Sequence, residues 1–215
     1  MNLPNKLSLL RIILIPVTMF FMLPISIYGF EPEGWNNFIR SYGMIIAGFV
    51  FIIASVTDFL DGQIARRCNM ITDLGKFLDS LADKMLVIAV LIAFVSTSRI
   101  SPWLLAIIVL REFMVTGIRL IASKQGVVMA AKMIGKIKTT TQMIAIIYLM
   151  FEPALMKIAG YDYLTSLKTS NPVSIVGDIL FYISVIMTII SGMDYLLKNL
   201  AYFKEDSGSV PAEQK

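Results

Sequence analysis

The stretch "GMIIAGFVFIIASVTDFLDGQIARR", residues 43–67, decides the fold: fifteen residues without a charge run straight into Asp58 and Asp61. A helix needs about 20 residues to cross a hydrocarbon core of roughly 30 Å, and acids on its last turns are costly unless something meets them there. Apolar runs at about 7–28, 42–62, 77–98, 100–121, 133–153 and 172–197 have the length for six spans. The composition agrees, with 57% hydrophobic and 16% charged residues and a mean hydropathy of +0.75. The expected fold class is an all-α integral membrane protein with six transmembrane helices. A short N-terminal interfacial helix is expected in "MNLPNKLSLLR". Residues 1–203 form one transmembrane domain, and 204–215, "KEDSGSVPAEQK", a polar tail expected to be disordered. The first run is too long for the apolar part of a signal peptide and no small-residue cleavage site precedes "EPEGW", so it is expected to stay as helix one.

Orientation follows from the basic residues. With the N-terminus inside, fifteen Lys and Arg fall at inner ends, and only Arg40, Arg99, Lys157 and Lys168 fall on the other side. Both termini are thereby expected in the cytoplasm. The net charge of +4 reflects that topology and attraction to anionic lipid, with no call for nucleic acid. Trp35, Trp103, Tyr161 and Tyr163 sit at or near the outer loops, as interfacial aromatics do. A lone Cys68 excludes a disulfide framework and a thiolate cluster. Histidine is absent, so proton transfer must use a carboxylate, Lys or Tyr.

The acids carry the chemistry. Asp58 and Asp61 are three apart, and Asp79 and Asp83 four apart, so each pair shares a helix face. A loop of about ten residues joins the two helices and brings their inner ends together. Four carboxylates converging at the edge of a low-dielectric phase repel one another, and hard cations such as Mg²⁺, Mn²⁺ or Ca²⁺ remove the conflict. Glycines beside the acids let a ligand approach the backbone, and Arg66 suits a phosphate. A nucleotide diphosphate held by two cations is the arrangement this suggests.

The stretch resembles the signature of the CDP-alcohol phosphotransferases, D-x2-D-G-x2-A-R-x8-G-x3-D-x3-D. Asp58, Asp61, Gly62, Ala65, Arg66, Gly75, Asp79 and Asp83 match it with every spacing kept. The resemblance implies that an alcohol hydroxyl attacks the lipid-bearing phosphorus of a CDP-lipid and that CMP leaves. It implies further that Asp58, Asp61, Asp79 and Asp83 bind two Mg²⁺ or Mn²⁺ ions, with Asp83 also the general base. Asp61, Gly62, Ala65, Arg66 and Gly75 would line the CDP-lipid site together with Asn5, from an opening, "NLPNKLSLLRIILIP", that is also similar. The family's fold suggests a homodimer.

Two further stretches bear on the acceptor. In "REFMVTGIRLIASKQG", Arg111 and Arg119 lie on one helical stripe, about 12 Å of rise apart. "KMIGKIKTTTQ" puts Lys136 and Lys138 at the same level. Together they suit an anion site for a phosphate on the incoming alcohol. Other roles stand beside that one: Arg111 as partner of Glu112 or of the acids, Arg119 as a positive-inside anchor, and the lysines as headgroup contacts. Both stretches resemble the phosphatidylglycerophosphate synthase branch, with "REF-x2-TG-x-R" and "GK-x-KT". That resemblance implies CDP-diacylglycerol and sn-glycerol 3-phosphate as substrates, phosphatidylglycerophosphate and CMP as products, and a site on the cytoplasmic side of the inner membrane. Inositol phosphate, phosphatidylglycerol or serine as acceptor keeps the same chemistry. From other classes, a divalent-cation transporter would place its acids near the midplane between repeated halves, and no repeat is visible. A structural subunit would leave the buried charges unexplained. Asp178 and Asp194 have no role at this level.

Overall fold

A computed structural model describes the backbone of residues 3–26, 30–68, 73–124, 133–161 and 171–199, and the side chains at 9–26, 30–57, 81–122, 133–161 and 171–197. The described residues are all-helical: α1 Leu3–Met22, the short α2 Glu33–Phe38, α3 Met44–Cys68, α4 Asp73–Ser96, α5 Pro102–Lys124, α6 Met133–Ile158 and α7 Pro172–Asn199. A π-helical turn, Ile39–Gly43, joins α2 to α3 without a break. No β-strand occurs among the described residues.

The expected interfacial helix is not a separate element. Leu3–Met22 is one continuous helix: Pro4 stands in its first turn, where a missing N–H costs nothing, the helix runs on through Pro16 at the loss of one backbone hydrogen bond, and Pro24 disfavours helix at the residue before it. The helix therefore also ends earlier than the apolar run at 7–28 suggested.

Three stretches are long and apolar enough to cross a membrane: Glu33–Thr57, Met133–Ile158 and Pro172–Leu197, with hydropathies of 1.9, 1.3 and 2.3. At 1.5 Å per residue each is about 38 Å long, more than the roughly 30 Å of a hydrocarbon core. Helix α1 packs on α3 and α4, α6 on α3 and α7, and α5 on α4 and α7. Their common core contains Phe51, Leu91, Phe94, Ile108, Ile146 and Leu149, all but fully buried.

Local chemistry fixes the helix ends far from Asp83. Helix α4 closes with Ser98 at φ 59°, its N–H donating to the Val95 carbonyl and that of Arg99 to Phe94, the 5→2 and 6→1 pair of a Schellman motif. Gly160, at φ 78°, closes α6 in the same way. Helix α7 opens on Asn171, whose Oδ1 accepts from the Ser174 N–H at 2.9 Å, with Pro172 in the first helical position.

The α4 cap aims Arg99 inward. Its guanidinium grips Glu152 of α6 through both oxygens, at 2.6 and 3.0 Å, and Asp178 of α7 at 2.6 Å. Burial disfavours the charge, but the two carboxylates outweigh it and raise the Arg99 pKa above its usual value. Asp178 thus has a structural part that the sequence did not reveal. Arg99→Ala would strand the Glu152 carboxylate, which is wholly buried. It should cost about 3–5 kcal/mol, the usual penalty for breaking a buried pair. Asp178→Asn, at a side chain 48% exposed, should cost less than about 1 kcal/mol. Thermal unfolding in detergent measures both; equal losses would show that Glu152 does not carry the difference.

Candidate active site

The acid signature falls on two consecutive helices. Asp58, Asp61, Gly62, Ala65 and Arg66 lie in the last turns of α3, and Gly75 and Asp79 near the start of α4. Asn5 is in the first turns of α1. The side chains of these eight residues lie outside the described residues. Asp83, one turn beyond Asp79, is described. It is exposed, and it lines a cavity of about 50 Å³ between α4, α5 and α6 together with Lys84, Glu112, Lys138, Thr139 and Gln142. By helix rise this level is about 24 Å along α4 from Arg99, so the two charged clusters occupy opposite ends of the bundle.

The floor of the cavity is polar because Glu112 of α5 and Lys138 of α6 meet there. Lys138 is 4% exposed and pairs with Glu112 Oε1. The same oxygen accepts from Arg111 Nη1 at 3.1 Å. One carboxylate oxygen thus ties two cations from two helices, and the trio keeps a net charge of +1. Burying such groups is tolerable only when they are paired. One turn further along α6, Gln142 is 3% exposed and also lines the cavity, and its amide nitrogen has no hydrogen-bond partner among the described residues.

Helix α7 holds the arginines from behind. Ser191 donates to the Thr188 carbonyl at 3.0 Å, which leaves its oxygen to accept from Arg111 Nη2 at 2.9 Å. Gly192 lets the helices close up, since a Cβ there would stand 2.8 Å from Arg111 Cγ. Four residues after Ser191, the buried Tyr195 accepts from Arg119 Nε at 3.2 Å, and the guanidinium lies 5.4 Å from the ring centroid. Arg119 and Lys136 are exposed.

Of the expected basic set, Arg111 and Lys138 therefore meet at Glu112, Arg119 stands against Tyr195, and Lys136 is exposed. Sequence reasoning named Glu112 only as an alternative partner and missed Gln142, Ser191 and Tyr195. A signal for Gln142 existed: it follows Lys138 by four residues and so shares its helix face.

Among the described residues no three His, Cys, Asp or Glu stand together as a metal site. The residues nevertheless fit a hard divalent cation. The described member of the quartet, Asp83, lines the cavity, and the signature's acids offer oxygen donors only.

Comparison with known proteins adds the family. The profile described as CDP-alcohol phosphatidyltransferase matches residues 1–190. A relative from Bacillus subtilis (strain 168) is 38% identical over 198 residues, covering 92% of this chain and 95% of its own. One from Rickettsia felis is 34% identical over 202 residues, covering 94% and 97%. One from Shigella flexneri is 34% identical over 200 residues, covering 91% and 93%. All three bear the name CDP-diacylglycerol–glycerol-3-phosphate 3-phosphatidyltransferase.

Proposed function

The chain belongs to the CDP-alcohol phosphatidyltransferase family, and from that premise we propose that it transfers the phosphatidyl group of CDP-diacylglycerol to sn-glycerol 3-phosphate, giving phosphatidylglycerophosphate and CMP. The observation that carries the reading is the shared cavity. Asp83 of the nucleotide-binding signature opens onto the same space as Lys138, whose partner Glu112 also holds Arg111. A carboxylate able to take a proton therefore stands beside cations able to hold a phosphate, which are the two things an alcohol phosphate needs.

The acceptor's primary hydroxyl attacks the lipid-bearing phosphorus, its proton passes to Asp83, and the phosphorus–oxygen bond to CMP breaks. Asp58, Asp61, Asp79 and Asp83 would hold Mg²⁺ or Mn²⁺, whose chemistry when bound is to neutralise charge on the diphosphate. Gly62, Ala65, Arg66, Gly75 and Asn5 line the CDP-lipid side, and Arg111, Arg119, Lys136 and Lys138 the acceptor side. The enzyme crosses the bacterial inner membrane six times: α1, α4 and α5 join the three most apolar stretches, the charges on α4 and α5 facing the site. Both termini and the site face the cytoplasm, and the chain works as a homodimer.

The test is CMP release by the purified protein with CDP-diacylglycerol and Mg²⁺, offering glycerol 3-phosphate, inositol phosphate, serine and phosphatidylglycerol in turn. Release with glycerol 3-phosphate alone is expected; release with another acceptor alone would overturn the acceptor assignment and keep the family chemistry. Arg119→Ala should raise the apparent KM for glycerol 3-phosphate about tenfold, the loss of one exposed charge-assisted contact, with little change in the KM for CDP-diacylglycerol. A change confined to the CDP-lipid KM would move Arg119 out of the acceptor pocket.

A further inference from the structure

Gln142 is a buried polar side chain whose amide nitrogen has no hydrogen-bond partner among the described residues. Unpartnered buried donors are rare in folded proteins and call for an explanation. Here the surroundings supply one. The side chain lines the cavity that Asp83, Glu112 and Lys138 also line, and it follows Lys138 by one helical turn on the same face of α6. At about 50 Å³ the cavity has room for about two water molecules, a space suited to a hydroxyl-bearing fragment of a small polyol.

We propose that the Gln142 amide is a specificity-determining hydrogen-bond donor of the acceptor site, and that it takes the second hydroxyl of a small phosphorylated polyol. The inference rests on the acceptor reading above. An acceptor with its phosphate against Lys138 and Arg111 and its attacking hydroxyl at Asp83 carries its remaining hydroxyl past the α6 face that bears Gln142. A purely apolar wall would tolerate a deoxy analogue. A donor left unpaired against that analogue rejects it, because the amide loses water without gaining a partner.

The experiment compares two acceptors with the same phosphate and the same primary hydroxyl: glycerol 3-phosphate and 3-hydroxypropyl phosphate, which lacks the second hydroxyl. Wild-type kcat/KM should favour glycerol 3-phosphate by about 10- to 100-fold. Gln142→Met keeps the length of the side chain and removes the donor. It should lower kcat/KM for glycerol 3-phosphate by a similar factor and leave 3-hydroxypropyl phosphate nearly unchanged, so the preference collapses. Equal losses with both acceptors would mark Gln142 as a packing residue and overturn the proposal. A wild-type preference below about threefold overturns it without any variant, since one satisfied buried hydrogen bond is worth more than that.

Lys138→Met separates this from failure of the reading beneath it. The variant should raise KM for both acceptors alike, since both carry the phosphate. If it raises neither, the acceptor reading falls and the Gln142 proposal with it. If it raises both while Gln142→Met leaves the preference intact, the acceptor reading stands and the Gln142 proposal alone is wrong.

Discussion

Asp83→Asn is expected to lower kcat for CMP release by about 10³-fold or more, with the protein still folded. A positioned general base contributes about 10²- to 10⁴-fold, and the substitution also removes one anionic oxygen donor from the acid quartet. Asparagine keeps the shape of aspartate, and Asp83 is an exposed residue of the long helix α4, so the substitution should leave the fold intact. The KM values sharpen the test. Asp83 shares its cavity with Lys84 and Lys138, and neutralising one acid there leaves more net positive charge for an incoming phosphate. The apparent KM for glycerol 3-phosphate should hold or fall while kcat collapses. Near-wild-type turnover would remove Asp83 from the proton-transfer role, and a raised acceptor KM with intact kcat would recast it as a binding residue.

The aspartate signature was legible because helical periodicity turns spacing into geometry. Residues three and four apart share a face whatever the rest of the chain does, and α3 and α4 are the helices on which that reading depends. What periodicity does not supply is the rotation of one helix against another. Arg111 and Lys138 could be placed at one level from sequence, but not on one oxygen of Glu112. That contact depends on how α5 and α6 turn toward each other. The same holds for Ser191 and Tyr195, which sit four apart on α7 and meet Arg111 and Arg119 only because Gly192 lets α7 approach α5. Arg99 is the clearest case. Counted by sequence it is one of four outer-side cations, but the Schellman turn at Ser98 swings it into a cluster with Glu152 and Asp178, 53 and 79 residues away. Composition and pattern pointed to apolar helices carrying an acid cluster and the resemblance supplied the reaction; the long-range ion pairs belong to packing.

Removal of divalent cation should abolish CMP release, to below about 1% of the activity in Mg²⁺, because charge neutralisation on the diphosphate is worth several kcal/mol of barrier. Mg²⁺ or Mn²⁺ added back should restore it. The same experiment has a second readout that needs no substrate. Two unit charges 4 Å apart repel by about 1 kcal/mol in water and about 4 kcal/mol at the effective dielectric near a protein surface. Asp58, Asp61, Asp79 and Asp83 should therefore strain the α3–α4 junction when no cation is present. A cation at 100 times its Kd would stabilise the fold by about 2.7 kcal/mol through mass action, visible as a higher melting temperature in detergent. Asp79→Asn separates this from a general salt effect. In chelator it relieves repulsion and should melt no lower than the unsubstituted protein, yet it should lose most of the rise that Mg²⁺ produces. A chelated protein that melts unchanged and still releases CMP would mean that the quartet does not work through a metal, and the acids would then need another reason to stand together at the end of two apolar helices.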